Sequence, residues 1–214
     1  IMGASGSGKT TLLNLMSGIL DPSSGTVRLN GLDIAKDKKK LEGVMGLVPQ
    51  DDLLLNELTV FENLYYAACQ CFGGMPEDLI IKTVEKTLGL LGLSDKRDLK
   101  VGSPLNNVIS GGQRKRLNIA LELIREPSVL FLDEPTSGLS SKDSENIMDL
   151  LRELTLKGKL IFTVIHQPSS DIFKMFDKVA ILDQGGYLVY FGNPVESVIH
   201  FKILDYKINA SKGE

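Results

Sequence analysis

Gly3-Ala4-Ser5-Gly6-Ser7-Gly8-Lys9-Thr10 fills every fixed position of the G-x-x-x-x-G-K-[ST] pattern. Working outward, Ile1-Met2 read as an apolar strand end, and residues 12–18 carry apolar side chains at helical spacing, with Gly18 placed to stop the helix. Glycines between a strand and a helix let backbone N–H groups turn inward and phosphate oxygens approach closely. The helix start adds its free donors and its positive dipole end. Gly3, Ala4, Ser5, Gly6, Ser7, Gly8, Lys9, Thr10 and Thr11 are therefore the expected phosphate cradle. Lys9 is expected to reach the β- and γ-phosphates, and the Thr10 hydroxyl to ligate Mg2+. The pattern says nucleotide, without saying which nucleotide or what work.

A second group of chemical residues lies 124 positions after Lys9, in Ser128-Val129-Leu130-Phe131-Leu132-Asp133-Glu134. Four apolar residues in a row predict a buried strand. At its C-terminal end the two acids point into the ligand crevice of an open α/β sheet. Asp133 suits the Mg2+ shell, and Glu134 is the candidate general base that polarises the attacking water.

Further apolar strands are predicted at 44–48, 160–165 and 179–182, and an amphipathic helix at 142–157. Residues 26–30 alternate like an exposed strand, 36–40 form a charged loop or helix end, and Gly185-Gly186 marks a hairpin before 187–191. Residues 59–126 read as helical, broken at Gly73-Gly74 and across 95–107. Apolar strands alternating with helices imply an α/β fold with a mostly parallel sheet flanked by helices. The expected organisation is one domain over 1–214, with an α/β core from 1–58 and 127–214 and an inserted α-helical subdomain at 59–126.

Composition narrows the class. With 43% hydrophobic and 24% charged residues the chain reads as an ordinary globular protein. A formal net charge of -3 argues against coating nucleic acid. No apolar run approaches the roughly 20 residues of a membrane helix, and no signal-peptide pattern is read. Cys69 and Cys71 are not spaced C-x-x-C, and His166 and His200 are the only histidines, so no zinc or redox site is expected. The opening at Ile1, already inside a motif, leads to the expectation of a fragment of a longer polypeptide.

Ile109-Ser110-Gly111-Gly112-Gln113 resembles the signature sequence of the ABC ATPase family, in which Leu usually takes the first place. With the Walker A pattern at 3–10 and the Walker B acids Asp133-Glu134 it follows the family's order. The resemblance implies a P-loop NTPase core whose inserted helical subdomain carries the signature. It further implies that Ser110, Gly111, Gly112 and Gln113 close over the γ-phosphate of ATP held by a facing domain, in a head-to-tail dimer. Gln50 resembles the Q-loop glutamine that reaches Mg2+ and the attacking water, and His166 resembles the switch histidine that contacts the γ-phosphate. Gln113-Arg114-Lys115-Arg116 and His166-Gln167-Pro168-Ser169 look most like the white-type G subfamily and its bacterial relatives. There the ATPase and membrane domains often share one polypeptide. Ser140 departs from the pattern, standing where the family usually has an aspartate after Leu139.

The function so implied is hydrolysis of ATP, with Mg2+, coupled to transport at the cytoplasmic face of a membrane. The implied partners are a second ABC ATPase domain and a transmembrane domain. Two alternatives stay open, a ribosome-associated ABC ATPase and a degenerate nucleotide sensor. The chromosome-maintenance type is excluded, because a very long coiled coil separates its two nucleotide motifs.

Overall fold

The structure, a computed structural model, describes residues 1–103 and 108–212. Its framework is a parallel sheet in which β4 (Met45–Val48), β5 (Val129–Asp133) and β6 (Leu160–Val164) lie side by side. A second group orders β1 (Met2–Gly3), β7 (Val179–Leu182) and β8 (Leu188–Gly192), the last of them antiparallel. Ile1 joins the two groups. Its amino group donates to the Thr163 carbonyl at 2.6 Å, and the Ile165 N–H donates to the Ile1 carbonyl at 3.0 Å. The sheet therefore runs β4-β5-β6-β1-β7-β8. Residues 26–30, expected as one exposed strand, instead supply β2 (Arg28–Leu29), which pairs antiparallel with β3 (Leu32–Asp33). The left-handed Asn30 and Gly31 between them, at φ 50 and 84°, make a tight turn.

Every residue of β5 is buried, because both faces of the strand are covered. Val129 and Phe131 face one way, toward Leu13 of α1 (Lys9–Met16) and Val164. The Phe131 ring stacks on Phe162 with centroids 5.2 Å apart. Leu130 and Leu132 face the other way, into a larger cluster shared with three helices from the middle of the chain. These are α2 (Val60–Cys71), α3 (Glu77–Leu90) and α4 (Gly111–Leu123). Of the break expected at 95–107, residues 104–107 lie outside the described residues. The same cluster takes the apolar stripe of α5 (Ser141–Leu156), whose Ile147, Leu151 and Leu154 are buried.

Helix starts follow local chemistry. Thr59 and Glu62 form a reciprocal capping box at α2, and Ser140 caps α5 by accepting from the Asp143 N–H at 3.1 Å. Helix α1 begins three residues earlier than its apolar spacing indicates, since the first turn carries Lys9, Thr10 and Thr11, which serve the loop rather than the core. Two helices carry no clear periodic signal: α6 (Ser170–Lys174) and the long α7 (Pro194–Lys212). Helix α7 packs on β8 through His200 and Phe201, whose rings lie 5.4 and 6.3 Å from that of Tyr190. His200 is exposed and meets Tyr190 at the surface. Among the described residues no helix is long and apolar enough to cross a membrane.

Leu130→Ala removes a fully buried side chain from the larger cluster and is expected to cost about 2–5 kcal/mol, read as a lower urea midpoint at unchanged slope. Ser140→Ala is expected to cost about 1 kcal/mol in the same measurement, because it removes both the cap on the Asp143 N–H and the hydroxyl bond to the Asp143 carboxylate.

Candidate functional site

The glycine-rich loop is held open by backbone geometry. Gly6 and Gly8 take left-handed φ values of 75 and 86°, where a side chain would be strained. Gly3 is needed for room: a Cβ there would stand 2.3 Å from the Leu182 carbonyl oxygen and 2.6 Å from Ser7 Oγ. Lys9 is buried at the start of α1 and folds back over the loop, its ammonium donating to the Gly3 carbonyl at 3.1 Å and the Ala4 carbonyl at 2.8 Å. Ser7 Oγ is buried and has no hydrogen-bond partner among the described residues, an orphan that a phosphate oxygen in the loop would satisfy.

Register brings the acids to this loop. The Thr10 hydroxyl donates to Asp133 Oδ1 at 3.3 Å, so the first turn of α1 meets the end of β5. That pair, an alcohol and a carboxylate, is a hard-oxygen donor set suited to Mg2+. Val48 lies opposite Leu132 in the β4–β5 pairing, which carries Gln50, two residues on, alongside Glu134. Gln50 Nε2 donates to Glu134 Oε2 at 3.3 Å. Glu134 itself sits at φ 46°, a left-handed conformation rarely taken by a non-glycine residue. Its N–H is fixed to the Val164 carbonyl at 3.1 Å. This strain, on the order of 1 kcal/mol, turns the carboxylate out of the strand direction. His166 follows β6 on the neighbouring strand end and is exposed.

The Ser110–Gln113 segment is placed elsewhere. Ser110 caps α4 by accepting from the Gln113 N–H at 3.2 Å, while Gln113 Oε1 accepts from the Ser110 N–H at 2.7 Å. Gly112 allows close approach to α5, since a Cβ would come 2.8 Å from Asp143 Oδ1. The start of α4 thus packs on the first turn of α5. Among the described residues no hydrogen bond joins it to the Gly3–Thr10 loop.

Charge separates these two helix starts from the others. Helices α2, α3, α5, α6 and α7 each carry an acid in the first turn, whereas α1 and α4 carry none. An acid there neutralises the positive end of the helix dipole. Neither start is neutralised by an acid of its own first turn; the carboxylates near them, Asp133 at Thr10 and Asp143 at Gly112, come from other elements.

Several residues that the motifs do not mark hold the site together. Arg114 is buried and grips Asp52 through two bonds, Nε to Oδ2 at 2.9 Å and a second amino group to Oδ1 at 3.1 Å. It also donates to Asn56 Oδ1 at 3.2 Å and to the Gly102 carbonyl. Lys115 donates to the Gln50 carbonyl at 2.7 Å. Burial pushes the Lys115 pKa down, against the pull of Asp52, Asp51, Asp133 and Glu134. Asn118 accepts from the Leu53 N–H at 3.3 Å. The signal in the sequence is faint. It consists of three polar residues on a helix with little exposed surface, matched by Asp51-Asp52 directly after Gln50.

Comparison with known proteins follows the same outline. The family model described as "ABC transporter" matches residues 1–137, and one described as "ABC-2 type transporter" matches residues 166–210. The chain is 42% identical over 211 residues to ABC transporter G family member 25 of Oryza sativa subsp. japonica, covering 97% of this chain and 21% of that protein. It is 39% identical over 209 residues to ATP-binding cassette sub-family G member 5 of Mus musculus, covering 96% of this chain and 32% of that protein. The chain thus spans well under half the length of these curated relatives. Among solved structures, cbiO1 from Clostridium perfringens, part of the ABC transporter complex cbiONQ, superposes with a TM-score of 0.78 at 32% identity, over 98% of this chain and 82% of that one. The α/β sheet with its flanking helices matches this neighbour over nearly all of the present chain. With the family model matching the phosphate loop, the signature and the acid pair together, the chain belongs to the ABC transporter family as an ATP-binding domain close to its G-family members.

Proposed function

We propose that this domain hydrolyses Mg-ATP and works as one half of a head-to-tail pair that drives a membrane transporter. One observation carries the proposal. The loop–helix start that suits phosphate and the acid pair that suits a metal and a water are joined by the Thr10–Asp133 bond. They lie at the same end of one parallel sheet, where α/β folds hold ligands.

In that reading the Gly3–Gly8 amides and Lys9 hold the β- and γ-phosphates, and Lys9 exchanges its two loop carbonyls for phosphate oxygens. Thr10, Asp133 and Gln50 would hold Mg2+, which when bound supplies positive charge to the phosphate oxygens. Glu134 takes a proton from the attacking water, and Gln50, bonded to its Oε2, leaves the other oxygen free for that water. His166, exposed beyond β6, faces the γ-phosphate only once a nucleotide is in place.

The signature segment supports the paired arrangement. A helix start that has no acid in its own first turn, whose Ser110 and Gly111 are exposed, and that among the described residues makes no hydrogen bond to its own phosphate loop, suits the ATP of a facing domain. Residues 59–126 then act as a helical subdomain against the core of 1–58 and 127–214. Exposed Leu53 and Leu55, which follow Gln50 in the chain, and exposed Tyr66 of α2 offer apolar side chains to a transmembrane partner. With that partner the domain would sit at the cytoplasmic face of a membrane.

The test is ATP hydrolysis by the full polypeptide that carries this chain, with association followed by light scattering. Glu134→Gln is expected to keep ATP binding, lower kcat by about a hundredfold or more, and hold an ATP-dependent dimer. Normal turnover in Glu134→Gln would remove Glu134 from the role of base. Lys9→Ala is expected to weaken ATP binding by about tenfold or more, measured by titration with a fluorescent ATP analogue.

A further inference from the structure

Helix α4 carries a charge that neither the phosphate loop nor the signature explains. Lys115 is only 9% exposed, and an ammonium withdrawn from water is retained where it is paired or has a task. Its ammonium donates to a main-chain carbonyl, that of Gln50, at 2.7 Å. Asp52, an obvious carboxylate partner, is already held by both arms of Arg114. Among the described residues Lys115 forms no salt bridge within 4.0 Å. The Lys115 charge thus fixes one peptide group of the loop that begins at Gln50, and that residue's side chain bonds Glu134 at 3.3 Å.

We propose, on the footing of the ATPase reading above, that Lys115 is a positioning residue: by fixing the Gln50 carbonyl it aims the Gln50 side chain at Glu134. Flanking bonds pin the same loop at other points, Arg114 at Asp52 and Asn56, and Asn118 at the Leu53 N–H. Asn63 of α2 closes it from the far side, donating to the Leu55 carbonyl at 3.1 Å and accepting from the Leu55 N–H at 2.8 Å. Those contacts hold the loop in place, whereas Lys115 alone among them touches Gln50. Lys115 lies five positions after Ser110 on the helix whose start is the signature. A shift of that start on engaging an anion therefore reaches Gln50 through one side chain.

Two variants separate aiming from packing. Lys115→Met keeps the length and the apolar stem without the charge, and Lys115→Arg keeps the charge. Both are compared with wild type in the full polypeptide by steady-state kinetics, by Mg2+-free titration with a fluorescent ATP analogue, and by hydrogen exchange. Lys115→Met is expected to lower kcat by about tenfold while leaving Mg2+-free affinity within about twofold, a loss in the transition state rather than in binding. Exchange at residues 50–53 is expected to speed up by about tenfold with α4 unchanged. Lys115→Arg is expected to recover most of both. Wild-type kcat together with unchanged exchange in Lys115→Met would overturn the proposal. So would exchange rising along all of α4 with affinity and kcat falling together and no recovery in Lys115→Arg, since that is the pattern of lost packing. If wild type itself does not hydrolyse ATP, the ATPase reading fails. The exchange result then decides the positioning role alone: a rise confined to 50–53 and reversed by Lys115→Arg supports it, and no rise overturns it.

Discussion

Strand β5 is paired on both edges and covered on both faces, and the rest of the structure is arranged around that burial. A strand so enclosed satisfies its backbone only through its two neighbours, and β4 and β6 pair with it along its length, both parallel. Register then carries the chemistry. Once Val48 lies opposite Leu132 and Val164 opposite Asp133, the residues that follow these strands come to one edge. Gln50, Glu134 and His166 stand on three neighbouring strand ends for that reason. A slip of one residue would send Asp133 to the other face and break its contact with Thr10.

Helix α4 has a double loyalty that explains its composition. Its apolar residues Leu117, Ile119, Ala120 and Leu123 belong to the large cluster that also packs β5. Its buried Arg114, Lys115 and Asn118 instead hold the 50–56 loop. Apolar burial alone would fix the helix without fixing the loop. The two-bond grip of the buried Arg114 guanidinium on Asp52, with further bonds to Asn56 and the Gly102 carbonyl, ties the loop to the helix at several points. The helix start and the Gln50 loop therefore belong to one body.

Electrostatics is distributed with the same economy. Five helices carry an acid in the first turn, and the two that do not are the ones whose starts carry the glycine motifs. The acids that the site does hold are at the ends of β4 and β5, where Thr10, Gln50, Arg114 and Lys115 meet them. Ser140 continues the pattern in a smaller way. Where the family usually has an aspartate, the serine still caps α5, bonding both the N–H and the carboxylate of Asp143.

Short windows of the sequence encode much of this domain. The glycine spacing of 3–10, the apolar run closed by Asp133-Glu134, and the strands at 44–48, 160–165 and 179–182 are local patterns, and the strands formed within a residue of their expected bounds. Helix α7 was not legible, since its apolar residues follow no helical stripe and many stay exposed. Nor was the joining of the sheet through Ile1, a contact with Thr163 across 162 positions. The motifs already assign Thr10, Gln50, Asp133 and Glu134 to one site; the assembled fold adds the direct contacts among them and brings in Arg114, Lys115 and Asn118. Thr10 meets Asp133 across 123 positions and Lys115 meets Gln50 across 65, distances over which periodicity carries no information. Strand register and helix packing set those meetings, and both are properties of the assembled sheet rather than of any segment.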